Sequence, residues 1–264
     1  MSTGTLDACA TADSVSIVAR QQAMASRPTA PLGTPCSSCL VHHLCLPCGM
    51  TGSDVERLDS LMFGRRKVKA GQTLYRECDS FQFIYAVRSG TFKASLTLAD
   101  GREHVSGFYM AGEVMGLDGV ADGRHASSAT ALEDTEVCAI QYSHLMELVA
   151  GSSGMQQAVH RLMSREIVRE NGLMMLLGSM NAEERLAAFL MNLSQRLKAR
   201  GYSASDFHLR MSRAEIGSYL GMSLETVSRT FSAFEQQQLL KVDKRHICII
   251  DSEGLTRIFE MRLR

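Results

Sequence analysis

The spacing of apolar and polar positions changes character three times along the chain. Residues 1 to about 34 mix Ser, Thr, Ala, Gly and Pro with little periodicity, which predicts a disordered leader. Beyond a cysteine-rich run, Ser53–Met62 (SDVERLDSLM) offers an N-cap serine, acids in the first turn and apolar residues at helical spacing. It predicts a short helix. From Arg65 to Ile140 the texture becomes short alternating runs broken by Gly and Asp. The clearest are Gln82–Val87, Thr91–Leu98 and His104–Tyr109, with turns at Ser89-Gly90 and Asp100-Gly101. Many short strands at this spacing predict a compact antiparallel barrel or jelly roll.

Helical spacing returns after the break at Gly151–Gly154. Met155–Leu177 contains no proline, and His160, Met163, Ile167, Glu170 and Met174 recur at 3-4-3-4 spacing, the seam of a two-stranded coiled coil. A buried structural helix is the alternative; Glu170 on the seam favours a partner helix whose association can be tuned. Asn181 then caps AEERLAAFLMNLSQRLKAR, which stops at Gly201. Within Met211–Gln237, Ser212 can cap a first helix ending near Leu220-Gly221, and Ser223 a second starting at Leu224. Two short helices about a glycine turn form a helix-turn-helix pattern. The runs LLKV and HICII around Asp243-Lys244-Arg245 predict an attached hairpin wing, and Cys248, alternating with isoleucines, reads as a core residue.

On the second helix of that motif, Glu225, Ser228 and Arg229 fall on the exposed face of the first turns, the part that enters a major groove first. Arg229 suits bidentate bonding to guanine O6 and N7, Glu225 can accept from a base amino group, and Ser228 can make shorter contacts. Ser223 and Thr226 complete the candidate DNA-contacting set. A merely solvated face is the competing reading, outweighed by the order of helix, turn and wing.

Composition changes this picture in only two places. The 264 residues carry no net charge, but from Asn181 onward 13 basic residues stand against 10 acidic ones, a mild bias compatible with nucleic acid. No signal-peptide run appears, and no stretch approaches the roughly 18 apolar residues of a membrane span. A cytoplasmic protein with reduced thiols is therefore expected, its eight cysteines being metal ligands or bystanders rather than disulfides. Cys9 and Cys78 read as bystanders. Cys36, Cys39, Cys45 and Cys48, all inside Pro35–Gly49, suit soft metals: zinc, or the irons of an iron–sulfur cluster. His42 and His43 between them read as loop residues. No nucleophile–base pair or phosphate-binding loop appears, so no enzyme is expected.

The runs RAEIGSYLGMSLETVSRTFSAF and NAEERLAAFL, together with the cysteine pattern, resemble the FNR branch of the CRP/FNR regulator family, from Cys36 to about Ile250. The resemblance implies an α+β fold: a cyclic-nucleotide-binding-like β-roll, a long dimerisation helix and a C-terminal winged helix-turn-helix. The implied limits are a leader over 1–34, cysteine loop and roll over 35–150, dimerisation helix over 151–180 and DNA-binding domain over 181–264. In that branch E-x-x-S-R is the DNA-reading signature, here Glu225, Ser228 and Arg229. The resemblance also implies a 4Fe–4S cluster on Cys36, Cys39 and Cys45 (C-x2-C-x5-C) and on the distant Cys138 in EDTEVCAI. It implies further a homodimer on palindromic double-stranded DNA, RNA polymerase as partner, and oxygen as the signal: the cluster passes to 2Fe–2S and is lost, and the dimer loosens.

The rival is a structural zinc on Cys36, Cys39, Cys45 and Cys48 in a regulator driven by another small molecule; spacing alone does not separate the two. Two departures stand out. Leu40 follows the second cysteine, where polar residues are common in the branch, and is expected to shield the cluster; Cys48 is extra to the pattern. Cyclic nucleotide binding is not expected, because Gly116-Leu117-Asp118 and His125-Ala126-Ser127 lack the glutamate and arginine that hold the phosphate in CRP relatives.

Overall fold

The computed structural model describes residues 35–260, so the expected leader and Cys9 lie outside the described residues. Helix α1 (Gly52–Leu61) leads into eight strands: β1 Met62–Val68, β2 Thr73–Tyr75, β3 Phe83–Ser89, β4 Thr91–Thr97, β5 Glu103–Met110, β6 Val114–Met115, β7 Ser128–Ala131 and β8 Thr135–Gln141. They pair antiparallel into two four-stranded sheets, in the orders β1-β8-β3-β6 and β2-β7-β4-β5. The Asp100-Gly101 turn closes the β4–β5 hairpin, with reciprocal backbone bonds between Leu98 and the turn at 2.8 Å.

Strand alternation gives the roll two faces. Val137 and Ala139 of β8 point inward with Tyr85, Val87 and Phe92. Cys138 and Ile140 point outward, where they are covered by Leu58 of α1, Leu145 and Val149 of α2 (Tyr142–Gly151), and Met155, Ala158 and Val159 of α3 (Ser153–Ser179). The break between α2 and α3 is fastened to α1. Ser152 caps α3 by accepting from the Met155 amide at 3.3 Å and donates to Asp54 Oδ1 at 2.8 Å.

The C-terminal unit begins with α4 (Ala182–Ala199), opened by the capping box of Asn181 and Glu184. It continues with β9 (Asp206–His208), α5 (Arg213–Leu220), α6 (Leu224–Gln236), β10 (Leu240–Asp243), β11 (His246–Ile249) and α7 (Ser252–Glu260), with strand order β10-β11-β9. Its core of Leu186, Leu190, Ile216, Leu220, Val227 and Phe234 is continuous with Val105, Phe108 and Met110 of β5. Polar contacts lie along the same join: the Val105 amide donates to Ser218 Oγ at 2.9 Å, Lys93 pairs with Glu215 at 3.3 Å, and Arg210 with Glu133 at 3.2 Å.

One expectation needs correction. Cys248 is not a core residue: the period-2 pleat of β11 buries Ile247 and Ile249 and leaves Cys248 half-exposed on the other face. Cys78 sits in a tight turn, with φ of 66°. Cys36, Cys39, Cys45, Cys48, Cys138 and Cys248 are free thiols.

Candidate metal centre and nucleic-acid interface

Pro35 to Met50 fold as a succession of tight turns, because the amides of Cys39, Cys45 and Cys48 each reach a carbonyl three or four residues back. Cys39 bonds to Cys36, Cys45 to Val41 and Cys48 to Cys45, at 3.1–3.2 Å. Two anchors fasten the loop: the Cys36 amide donates to Asp59 Oδ1 at 2.6 Å, and Leu46 is buried in the core shared with α1 and β8. This brings Cys36, Cys39 and Cys45 over the outward face of β8. There they line one pocket with Cys138, walled by Leu46, Leu58, Ala86 and Ile140 and edged by Arg88.

Cys48 stands outside that lining. Its carbonyl accepts from Arg161 Nη2 at 3.0 Å, and its Sγ lies 3.9 Å from Arg165 Nη2. Burial raises the thiol pKa of Cys36, Cys45 and Cys138, that of Cys45 to about 12, which favours the neutral form of these three thiols. Among the described residues, no three His, Cys, Asp or Glu side chains stand close enough to hold a single metal ion. Leu40 is 91% exposed and does not shield the pocket, contrary to expectation: the turn after Cys39 aims it at solvent. His42 and His43 are exposed loop residues, the former bonded to the Cys39 carbonyl at 2.8 Å.

The helix-turn-helix is built from local signals. Ser212 and Glu215 form a capping box for α5. Gly221 ends it in the left-handed conformation, at φ 62°, which a side chain would strain. Ser223 Oγ accepts from the Thr226 amide at 3.1 Å and opens α6. Val227, Thr230, Phe231 and Phe234 bury one side of α6, which leaves Ser223, Glu225, Ser228 and Arg229 exposed on the other and Thr226 half-buried. The β10–β11 hairpin adds exposed Lys241, Lys244 and Arg245, three cations whose role the sequence reading did not assign.

Of the candidate seam residues on α3, His160, Ile167, Glu170 and Met174 are exposed, and Met163 is half-buried against the core beneath the cysteine loop. Ile167 is 60% and Met174 62% exposed, with Val168 at 67% beside them. In the roll, Asp118 lies against Ser127 and His125. Its Oδ2 accepts from the Ser127 amide at 2.9 Å and hydroxyl at 2.7 Å, and its Oδ1 lies 3.3 Å from Nδ1 of buried His125. Although burial opposes it, bonds from His125 and Ser127 hold the Asp118 carboxyl below the usual range.

Comparison with known proteins agrees with this architecture. Residues 65–152 match the cyclic nucleotide-binding domain and residues 184–258 the Crp-like helix-turn-helix domain. The transcriptional regulatory protein btr of Bordetella pertussis is 46% identical over 231 residues, 88% of this chain and 96% of that protein. The fumarate and nitrate reduction regulatory protein of Escherichia coli K12 is 37% identical, over 84% of this chain and 89% of its own length. Among solved structures, FixK2 from Bradyrhizobium japonicum superposes with a TM-score of 0.67 at 29% identity, covering 74% of this chain and 96% of that one. With a β-roll, a long helix and a winged helix-turn-helix in that order, and relatives of this similarity along most of its length, the chain belongs to the CRP/FNR family of DNA-binding transcription regulators.

Proposed function

We propose that this regulator is a cytoplasmic homodimer that senses oxygen through a 4Fe–4S cluster on Cys36, Cys39, Cys45 and Cys138 and binds palindromic double-stranded DNA, where it addresses RNA polymerase. The observation that carries the reading is the meeting of three loop cysteines with one from β8, a hundred residues on, around a single apolar-walled pocket. A donor set made only of soft thiols suits iron–sulfur chemistry. When bound, such a cluster supplies an oxygen-labile cross-link between loop and roll. The chain's residues do the rest: Leu46 and Asp59 hold the loop in place, and β8 holds Cys138 rigid at the centre of its sheet.

The exposed apolar stripe of Ile167, Val168 and Met174 supports the dimer, since so much apolar surface on one helix face is stabilised by a partner. Exposed Glu225, Ser228 and Arg229 support base readout, with Ser223, Thr226 and the wing cations toward phosphates. Asp118 argues against a cyclic nucleotide: an internal carboxylate already takes the donors a phosphate would need, and would repel one. No helix among the described residues is long and apolar enough to cross a membrane.

The test is an anaerobic absorption spectrum with iron and sulfide analysis, followed by an air pulse and a DNA-binding assay. A brown protein that bleaches in air and loses DNA affinity is expected; a colourless protein with one zinc and air-insensitive binding would sink the sensor. Separately, Arg229→Ala should weaken DNA binding by about 1–3 kcal/mol and relax specificity at one base pair, measured by titration against single-substituted sites. Equal discrimination in both proteins removes Arg229 from the base readers.

A further inference from the structure

The cysteine loop touches more than the strand beneath its pocket. Val41 and Leu44 close over Gly112 in the β5–β6 turn. Gly112 has φ 87°, and a Cβ there would stand 2.7 Å from the Leu44 Cβ, so only glycine lets turn and loop meet this closely. The next residue, Glu113, engages the opposite neighbour, the first helix of the DNA-binding unit. Arg196 of α4 grips its carboxylate with two donors, Nε to Oε1 at 3.0 Å and Nη2 to Oε2 at 2.7 Å, and Arg200 Nη2 adds a third at 2.5 Å. Arg200 Nε also donates to the Ala111 carbonyl at 2.6 Å. The loop itself reaches the end of the same helix, where His43 Nε2 stands 3.4 Å from the Ala199 carbonyl.

Three residues, Ala111 to Glu113, are thus held between the cysteine loop and α4. The grip is stiff. Forked guanidinium–carboxylate pairs fix geometry as well as charge, and the Arg200 side chain is only 5% exposed, so separating the groups strands charge in a poorly solvated site. Such a contact is made or broken rather than stretched, as a two-state element must be.

We infer that the Ala111–Glu113 turn is a relay within one subunit. It passes the state of the cysteine loop to α4 and so sets the orientation of the DNA-binding unit, in addition to what passes through the dimer seam. The inference rests on reading the loop as the oxygen sensor. Order in the loop keeps Leu44 on Gly112 and Glu113 in reach of both arginines; disorder removes the backing from the turn and frees α4. Glu113, Arg196 and Arg200 are positioning residues, lying outside both the thiol-lined pocket and the exposed face of α6.

The test uses the full-length iron-loaded protein, Glu113→Gln, and Arg196→Lys, which keeps the charge but loses the fork. Hydrogen exchange is followed before and after an air pulse, and DNA affinity is measured at concentrations where sedimentation shows every sample dimeric. In the wild type, air should raise exchange in the loop, the turn and residues 193–201. An oxygen effect on affinity within the ordinary coupling range, about 5- to 150-fold, should persist in the dimer. In Glu113→Gln, with unchanged iron content and dimerisation, the loop should still respond while α4 does not, and the affinity ratio should fall toward one; Arg196→Lys should lie between. Iron-loaded wild type whose α4 ignores air, or variants that keep the wild-type ratio, would overturn the relay alone. A chain that takes up no iron overturns the sensor and the relay together.

Discussion

Cys138→Ala should emerge from anaerobic reconstitution without iron or sulfide and bind DNA no better than the wild type in air, whereas Cys48→Ala should keep both its iron and its affinity. The asymmetry follows from where the two thiols sit. Cys138 lies on β8, flanked by β1 and β3 and paired with Arg65 and Ala86, so its side chain cannot move without the sheet. It is 7% exposed and shares the pocket of Cys36, Cys39 and Cys45. Cys48 faces the helix α3 arginines instead, at the far end of the loop. Removing Cys138 leaves three ligands on one short loop and no tie to the roll, so the expected loss is of the whole cofactor. The fold should survive, because alanine at a buried thiol removes little volume; an unchanged thermal transition checks this. The opposite pattern, one zinc lost only from Cys48→Ala, would assign the metal to the loop alone and leave Cys138 a packed core residue.

What the sequence shows plainly here is local. The caps at Asn181, Ser212 and Ser223 each act on an amide three residues ahead, so the helices they open could be placed from a few letters, and the Asp100-Gly101 hairpin likewise. Strand β9 has three residues, too few for a period to show, and was not foreseen; nor was α7. The candidate pocket was partly legible. Loop spacing marks three of its cysteines, but nothing in the letters around Cys138 says that β8 turns it outward under the loop. That follows from the alternation of Val137 and Ala139 into the roll, a fact about the sheet. The reverse error at Cys248 has the same cause: a neighbour of two buried isoleucines on a strand points the other way. The hold of Arg196 and Arg200 on Glu113 spans more than eighty residues and leaves no pattern in the chain.

Glu170→Ala should give a protein that dimerises and binds DNA in air. Burial of one large apolar side chain contributes about 1.5–3 kcal/mol, so the stripe of Ile167, Val168 and Met174 from two subunits competes on nearly even terms with the entropic cost of association, about 4–15 kcal/mol. On that margin a modest term decides. Two Glu170 carboxylates facing across the seam would repel by about 1–4 kcal/mol, depending on how much water remains between them. Arg169 softens this, its Nη2 lying 3.3 Å from Glu170 Oε1. The same nitrogen also serves Glu166 at 2.8 Å and the Tyr109 hydroxyl at 2.6 Å, so its charge is divided. The low end of the range is therefore expected, about 1–2 kcal/mol, or roughly 5- to 30-fold in the dimer dissociation constant. Sedimentation in air reads the shift directly, and a DNA titration in air reads its consequence. If dimerisation tightens but binding in air stays weak, the seam is not the whole switch and control lies also in how α4 is held. If neither changes, the carboxylates do not face each other, and the partner helix crosses elsewhere on the stripe.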